Sequence, residues 1–289
     1  MRLLNIVRLV RVSHYVKNVF IFLPLFFALK ILEIEILLDT FIAFIAFSLS
    51  ASSIYILNDY LDLKYDLKHP VKRRRPLASG AISKRCAAFI ATLFLLSGFS
   101  LMLYISLEAT KILLLYIFLN ILYSVYLKHQ ALTDITVVAI GFVLRLFIGS
   151  SVADVDLSMW IVIMTFLLAL FLALAKRRDD VVLYEQTKEK VRKTIGGYNL
   201  QFLDMAMTSV ASVIIVSYIM YTTSAEVIQR IGSEYLYLTV LFVILGIMRY
   251  LIITIVEDDS GSPTKIVLKD RFLQLMVLLW LASFSWLLY

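Results

Sequence analysis

NDYLDLKYD, residues 58–66, follows directly on an apolar run, Thr40 to Leu57, that is long enough to lie within a membrane. Carboxylates beside a bilayer are costly, so they mark candidate functional positions. On a helix, Asn58, Asp62 and Asp66 stand at i, i+4 and i+8 and therefore share one face. Three oxygen ligands on one face, completed by water and substrate phosphate oxygens, suit Mg²⁺.

A basic cluster follows this acidic stretch at once, because residues 68–76 read KHPVKRRRP. Such cations are good partners for phosphate oxygens. The alternative is a charged loop beside the membrane that only fixes topology, and charge alone favours that alternative. The acidic spacing followed directly by the basic cluster favours a metal–diphosphate site at the cytoplasmic mouth of a membrane protein.

The composition sets the class of protein. Hydrophobic residues make up 61% of the 289 residues, and the mean hydropathy is +0.89. A soluble domain is nearer half apolar, so we expect a polytopic, all-α membrane protein that forms a single domain over residues 1–289. The net charge of +7 belongs mostly to one membrane face and gives no reason to invoke nucleic acid. The sequence does not determine whether the protein is a homo-oligomer.

Apolar segments of about 20 residues, the length that spans a bilayer, occur nine times, at roughly 17–36, 39–57, 84–107, 110–127, 132–152, 157–176, 202–224, 234–256 and 271–289. With a cytoplasmic N-terminus, 24 of the 28 lysines and arginines fall on cytoplasmic segments and three on outside segments. This asymmetry is what the positive-inside rule requires. We therefore expect nine spans in the cytoplasmic membrane, with the active-site loops inside and the C-terminus outside.

Polar residues concentrate in three predicted cytoplasmic loops, which run from Asn58 to about Ser83, from Lys176 to about Leu200 and from Glu257 to Arg271. Connections between helices are usually much shorter. Loops of this length can cap a polar cavity and exclude water from a reactive intermediate. The alternative is that they only fix orientation.

Four further polar residues are candidates for substrate contacts. Asp134 and Arg145 lie eleven residues, or about three turns, apart on one predicted helix and so share a face. A charge within a span is either functional or a structural tether, and both readings stay open for Arg145. Asp134 lies close to the start of the predicted helix, so a role in capping that helix or in the preceding loop is also open. Lys17 and Asn18 could reach a phosphate, although an interfacial anchor is the favoured interpretation there.

The chain resembles the UbiA superfamily of intramembrane prenyltransferases, because Asn58–Asp66 has the pattern NDxxDxxxD of its first aspartate-rich motif. Further stretches resemble one branch, the decaprenyl-phosphate phosphoribosyltransferases. In chain order they are residues 14–18 (HYVKN), 66–80, 123–134, 145–149, 176–177, 192–198 and 263–274. The resemblance thus covers nearly the whole chain.

The resemblance implies a nine-helix bundle whose central cavity opens to the cytoplasm and to lipid, with Mg²⁺ at the first motif. Asn58, Asp62 and Asp66 would hold the metal and a diphosphate, with Asp59 in support, so catalytic roles would fall to Asp62 and Asp59. Substrate-binding roles are expected for Lys17, Asn18, Lys72, Arg73, Arg75, Arg145, Lys176, Arg177 and Tyr198.

The implied reaction is transfer of 5-phosphoribose from phosphoribosyl pyrophosphate to a polyprenyl phosphate in the bilayer. One departure from the superfamily favours this branch: the place of the second DxxxD motif reads KRRDDVVLY, residues 176–184. A basic second loop suits substrates with several phosphates. A true prenyltransferase, acting on an isoprenoid diphosphate and an aromatic or other acceptor, is the main alternative. A transporter is the third, although the midplane Gly/Pro breaks typical of that class are missing from the sequence.

Overall fold

The computed structural model describes residues 2–67, 72–187, 196–258 and 263–288, and within these ranges it is all helical. The α-helices are α1 Arg2–Leu9, α2 Leu23–Phe27, α3 Ile34–Leu61, α4 Leu63–Asp66, α5 Lys84–Ile105, α6 Leu107–Val125, α7 Thr133–Ala153, α8 Met159–Thr187, α9 Leu200–Thr223, α10 Ala225–Ile231, α11 Val240–Leu251, α12 Pro263–Lys269 and α13 Arg271–Leu288. The 3₁₀ helices are Val12–Phe22, Lys72–Arg74, Leu127–His129 and Tyr235–Thr239, and Ile252–Val256 is a π-helix.

Seven helices of the described chain are long and apolar enough to cross a membrane. A bent pair, Leu3–Leu9 with Val12–Phe27, makes an eighth if it is one span, and Arg271–Leu287 is apolar but shorter. The all-helical membrane fold is therefore confirmed, whereas the count of nine is not. The first and last predicted spans, residues 17–36 and 271–289, are not among these seven helices.

Three predicted boundaries are wrong. The first apolar helix ends at Phe27 instead of residue 36, because the chain turns at Leu29, which has a left-handed φ of 62°. The predicted second loop begins as helix, since α8 continues to Thr187 without a glycine or proline to stop it. The predicted third loop contains α12, for which Pro263 is a suitable first residue.

By its internal contacts the chain divides into two compact units, unit 1 (residues 1–128 and 140–157) and unit 2 (residues 129–139 and 158–289). The division does not test the predicted single domain, which stays a prediction. Unit 1 packs α3 at its centre, against α5, α6 and the 3₁₀ helix Val12–Phe22. Unit 2 packs α8 against α9, and α11 against α13 and α9.

Two glycines allow helices of unit 1 to approach closely. A Cβ on Gly98 would lie 2.4 Å from the Ser50 hydroxyl oxygen, so α5 can rest on α3 only without a side chain there. A Cβ on Gly149 would lie 1.9 Å from the carbonyl oxygen of Ile21. Small residues at such crossings are typical of helices packed within membranes. Gly149 thereby brings α7 onto the 3₁₀ helix Val12–Phe22, which carries two of the predicted site residues.

Candidate active site

The C-terminal end of α3 gathers oxygen atoms around a lysine that sequence reasoning did not assign to the site. Lys128, on the 3₁₀ helix Leu127–His129, donates to the Asp62 carboxylate at 2.6 Å and to the Asn58 side-chain oxygen at 3.5 Å. The Lys128 side chain is 11% exposed. These contacts show that the Asn58 and Asp62 oxygens converge on one cationic centre.

The other two carboxylates of the motif converge on a different cation. One nitrogen of Arg75 lies 2.9 Å from an oxygen of Asp59 and 2.7 Å from an oxygen of Asp66. Arg11 also donates to Asp59, and its guanidinium lies 5.0 Å from the centre of the Tyr55 ring. Arg11 has a left-handed φ of 55°, a conformation that costs a non-glycine residue energy.

The predicted set of Asn58, Asp62 and Asp66 is therefore divided between two cations. The helix breaks at Asp62, the residue between α3 and α4, so the three side chains do not share the single continuous face that was expected. Asn58 and Asp62 are brought together, and Asp66 joins the buried Asp59 through Arg75. The roles assigned to these residues stay predictions.

The donor set of Asn58 and Asp62 fits a magnesium ion. Mg²⁺ in proteins commonly takes one or two side-chain oxygens and completes its shell with water and substrate phosphate oxygens. An amide oxygen and a carboxylate that already lie around one ammonium group meet that requirement. No group of three histidine, cysteine, aspartate or glutamate side chains in the described ranges is arranged to hold a metal.

Two predicted phosphate contacts, Lys72 and Arg73, lie on the short 3₁₀ helix Lys72–Arg74. This helix belongs to unit 1, as the acidic motif does. Arg73 is exposed there, and Lys72 is partly buried. Arg75, the next residue, carries the contacts to Asp59 and Asp66 described above. Arg75 therefore places one of the predicted phosphate-binding cations directly against Asp59 and Asp66.

Arg145 is buried within unit 1 at 4% exposure, and its hydrogen-bond partners among the described residues are neutral. It donates to the side-chain oxygen of Asn18 at 2.9 Å and to the carbonyl oxygen of Gly141 at 2.5 Å. Asn18 in turn donates to the Ser48 hydroxyl at 2.8 Å, which fixes the orientation of its amide. Arg145 thus ties α7 to the 3₁₀ helix Val12–Phe22, which supports the tether interpretation at this position.

Aromatic rings surround the Arg145 guanidinium, at 4.7 Å from the ring centre of Phe47, 5.3 Å from Tyr116 and 5.1 Å from Phe142. Each such contact contributes roughly 0.5–2 kcal/mol. Removing a charge from water costs several kcal/mol even after the protein relaxes. The rings and the two neutral acceptors therefore offset the cost without neutralising the charge.

In unit 2 the predicted substrate residues Arg177 and Tyr198 meet at a fully buried carboxylate. Asp134 accepts from Arg177 at 2.5 Å and from the Tyr198 hydroxyl at 2.7 Å. Arg177 also donates to Asp180 at 2.7 Å, and the Tyr198 hydroxyl accepts from the Leu132 amide at 2.7 Å. Burial, together with the bond to Asp134, raises the pKa of Tyr198. Asp134 and Arg145, which were expected to share a face of one helix, have different partners.

The neighbouring Arg178 is likewise buried and paired with acids. It donates to Asp204 on α9 at 2.7 Å and to Asp258 at 2.8 Å. Lys176, a predicted substrate contact, is exposed on α8. The two buried arginines at the start of the predicted second loop are thus held by carboxylates of unit 2.

Sequence reasoning missed Lys128 and Arg11 as members of the site, because both were counted only as cations of the cytoplasmic face. Lys128 lies in the stretch 123–134, which already resembled the phosphoribosyltransferase branch, so that stretch held the signal. Arg11 had no comparable signal, since its contact with Asp59 joins residues 48 positions apart. The predicted contributions of residues 68–71 and 188–195 lie outside the described residues.

These arrangements define a class of protein: an all-helical membrane protein with carboxylates and cations interleaved at the end of one helix. The profile of the UbiA prenyltransferase family matches residues 19–276. The chain belongs to the UbiA prenyltransferase family, as the first aspartate-rich motif predicted.

Two curated relatives carry one name, decaprenyl-phosphate phosphoribosyltransferase. The protein from Mycolicibacterium smegmatis is 32% identical over 248 residues, which cover 84% of this chain and 78% of the relative. The protein from Mycobacterium tuberculosis is 28% identical over 283 residues, which cover 96% of this chain and 92% of the relative. A solved structure, a UbiA homologue from Archaeoglobus fulgidus bound to DMAPP and Mg²⁺, matches with a TM-score of 0.72 over 98% of both chains. At 17% identity this last likeness confirms the fold alone.

Proposed function

We propose that this protein transfers 5-phosphoribose from phosphoribosyl pyrophosphate to a polyprenyl phosphate and releases pyrophosphate. The observation that carries the proposal is the alternation of acids and cations at the end of α3, where Lys128 and Arg75 lie among Asn58, Asp59 and Asp62. Carboxylates can hold a metal, and the interleaved cations can hold phosphate oxygens. The name shared by the curated relatives supports the same substrates.

Asn58 and Asp62 would hold a Mg²⁺ ion, and Asp66 would join them when a diphosphate is bound. The ion, when bound, would neutralise charge on the pyrophosphate leaving group. The Mg²⁺ complex of the Archaeoglobus fulgidus homologue supports a divalent cation for this fold. Arg75 and Lys128 lie against the same carboxylates and would add positive charge beside the leaving oxygens. Asp59, held between Arg11 and Arg75, would fix the position of Arg75.

The reaction needs little acid–base chemistry from the protein. As the bond from the ribose C1 to the pyrophosphate oxygen lengthens, C1 gains oxocarbenium-like character. An oxygen of the polyprenyl phosphate then attacks from the opposite face and inverts C1. A phosphate monoester is already anionic, so it needs no strong general base. In this mechanism the residues of the site bind, orient and neutralise phosphate groups.

A prenyltransferase is the second candidate function. The observation that favours it is the fold likeness to a homologue bound to DMAPP, a prenyl diphosphate. Against it, the second DxxxD motif is missing from the sequence at residues 176–184, and Arg177 and Arg178 stand there with carboxylate partners of their own.

We place the protein in the cytoplasmic membrane, with the acidic motif on the inner side and the C-terminus outside. This orientation puts most of the lysines and arginines on the cytoplasmic side, as the positive-inside rule requires.

The test is an assay of the purified protein in detergent with Mg²⁺, a polyprenyl phosphate and phosphoribosyl pyrophosphate labelled in the ribose. We expect label to enter the lipid phase, and Asp62→Asn to abolish that transfer while the protein stays folded. Asp39→Asn is the matched control, since Asp39 is an exposed carboxylate at the other end of α3. Transfer of an isoprenoid from its diphosphate, without transfer of ribose, would replace the proposal by the prenyltransferase.

A further inference from the structure

We propose that α1 lies in the headgroup layer of the membrane, on the side of the acidic motif, and binds anionic phospholipids there. The contact surface consists of three exposed apolar side chains and three exposed cations, Leu3, Leu4, Val7, Arg8, Lys84 and Arg85. All six belong to unit 1. This role is separate from the proposed transfer of phosphoribose.

The first observation is that α1 is not needed to cross the bilayer. The chain bends by 48° between Leu3–Leu9 and Val12–Phe27, and Arg11 within this bend has a left-handed φ of 55°. After the bend come 11 residues of 3₁₀ helix and 5 of α-helix. At roughly 2.0 and 1.5 Å per residue they extend about 30 Å, the thickness of the hydrocarbon core. The first span can therefore begin at Val12, with α1 outside it.

The packing of α1 places it beside the acidic end of α3. Its inner face buries Leu9 in a hydrophobic cluster with Ile56 of α3 and Ala87 of α5. Ile56 immediately precedes the last apolar residue before the acidic motif. Arg11, just beyond the end of α1, contacts Asp59 of that motif. α1 thus lies at the level where α3 leaves the apolar part of the membrane.

The opposite face of α1 is apolar yet exposed. Leu3, Leu4 and Val7 are 76%, 56% and 40% exposed. These positions share one face of a helix, because Val7 lies one turn after both Leu3 and Leu4. Three large apolar side chains side by side are unfavourable in water, whereas the boundary between headgroups and acyl chains accommodates them. One face of α1 therefore packs on protein, and the other is built to pack on lipid.

Cations without carboxylate partners flank this apolar face. Arg8 is exposed on α1 itself. Lys84 and Arg85 are exposed in the first turn of α5, close to α1 because Ala87 belongs to the cluster that α1 packs against. In the described ranges no carboxylate forms an ion pair with any of these three cations. The helix dipole disfavours cations at a helix N-terminus, so Lys84 and Arg85 gain from an anion supplied by another molecule.

An anionic phospholipid satisfies both parts of this surface. Its acyl chains cover the apolar side chains, and its headgroup supplies the negative charge. Each lysine or arginine near an anionic membrane surface strengthens binding about fivefold. A second copy of the chain would also cover the apolar face, but a symmetric contact would bring the same cations of both copies together. The charge of the surface therefore favours lipid as the occupant.

The single cysteine of the chain makes a specific labelling experiment possible. Cys86→Ser removes that exposed thiol, and Val7→Cys in this background accepts one environment-sensitive fluorophore. Leu3→Cys is a second labelling position. The full chain is reconstituted into nanodiscs of phosphatidylcholine, alone or mixed with phosphatidylglycerol. Quenching by a headgroup nitroxide, by a nitroxide deep on the acyl chain and by acrylamide in the water determines the depth of the label.

Two controls accompany the label on α1. Gln186→Cys provides a label in water, because Gln186 is exposed in the last turn of α8. That helix has 29 residues and is about 44 Å long, well beyond the hydrocarbon core. Lys111→Gln is the control for the loss of a cation, since Lys111 is an exposed lysine on α6. The melting temperature of every variant verifies that it is folded.

We expect the headgroup nitroxide to quench the label at residue 7, and to do so more strongly in discs that contain phosphatidylglycerol. Arg8→Gln should lower the ratio of docked to undocked α1 in those discs about fivefold, and Lys111→Gln should leave it unchanged. The label at residue 186 should respond chiefly to acrylamide.

Four results would each overturn the proposal. Quenching at residue 7 chiefly by acrylamide would place α1 in water, and quenching chiefly by the deep nitroxide would make α1 part of the first span. Protection from all three quenchers would show that protein, such as a second copy of the chain, covers the apolar face. Equal headgroup quenching in the two kinds of disc would show that the charge of the lipid has no part in the contact.

Discussion

The buried arginines of the two units differ in their partners. In unit 2, Arg177 and Arg178 each contact two carboxylates, at distances of 2.5–2.8 Å. In unit 1, Arg145 is equally buried but contacts an amide, a carbonyl and three aromatic rings. An arginine whose charge is satisfied internally stabilises the fold, whereas one with neutral partners retains the capacity to bind an anion. Burial alone therefore does not distinguish structural from functional cations in this family member.

The largest expected effect comes from removing a carboxylate in unit 2. Asp134→Asn leaves Arg177 buried without its fully buried partner, so we expect the free energy of unfolding to fall by about 3–5 kcal/mol. Denaturant titration of the purified protein, followed by circular dichroism, measures this loss.

The matched control for Asp134→Asn is Asp180→Asn, which removes the other carboxylate of Arg177. Its side chain is 13% exposed, so water can replace part of the lost interaction and the loss should be smaller. Equal losses in the two variants would show that burial of the carboxylate does not determine its contribution. Stability at the wild-type level in Asp134→Asn would contradict the structural role of the Arg177 pair.

The next effect tests the comparison directly, by giving Arg145 the carboxylate that it lacks. In Asn18→Asp the new carboxylate would stand 2.9 Å from the arginine nitrogen, judging by the present amide oxygen. We expect the melting temperature to stay the same or rise, because the buried charge gains a partner. If Arg145 binds a phosphate of the substrates, as the resemblance implies, the affinity for that substrate should also fall at least about tenfold, a loss of about 1.4 kcal/mol, because the carboxylate competes with the phosphate.

Ser48→Ala is the control for Asn18→Asp. It removes the other hydrogen bond of Asn18 without adding charge, so it should lower stability slightly and leave most of the substrate affinity intact. If Asn18→Asp and Ser48→Ala weaken binding alike, orientation of the amide rather than the charge of Arg145 governs the site. In that case the distinction between the two groups of arginines would lose its functional meaning.

The sequence predicted the class of fold, because long apolar segments and the distribution of cations depend on the bilayer rather than on tertiary contacts. The acidic motif was located for a similar reason, since carboxylates at a membrane span stand out from their surroundings. The break at Asp62 and the division of the acids between Lys128 and Arg75 were not predictable, because both depend on partners distant in the chain. Asp62 and Lys128 are 66 residues apart, for example.

The roles of the individual arginines could not be separated from the sequence either. Arg145 and Arg177 both looked like candidate phosphate ligands, since each is a cation near or within an apolar segment. What distinguishes them is the acid at Asp134, which lies 43 residues from Arg177 and closer in sequence to Arg145. Helix periodicity placed Asp134 and Arg145 on one face but indicated no partner for either residue. Pairing between helices is decided by packing, which periodicity within one helix does not describe.

The smallest expected effect comes from Tyr198, whose hydroxyl donates to Asp134 and accepts from the Leu132 amide. Tyr198→Phe keeps the ring and removes both hydrogen bonds, and Asp134 keeps its ion pair with Arg177. We therefore expect a loss of about 1–2 kcal/mol, well below that of Asp134→Asn. Denaturant titration under the same conditions measures it, and Tyr237→Phe, at an exposed tyrosine of unit 2, is the control. If Tyr198 instead contacts substrate, Tyr198→Phe should raise the KM for phosphoribosyl pyrophosphate while stability stays at the wild-type level. That result would move Tyr198 from the group of internally satisfied residues to the group that binds ligand.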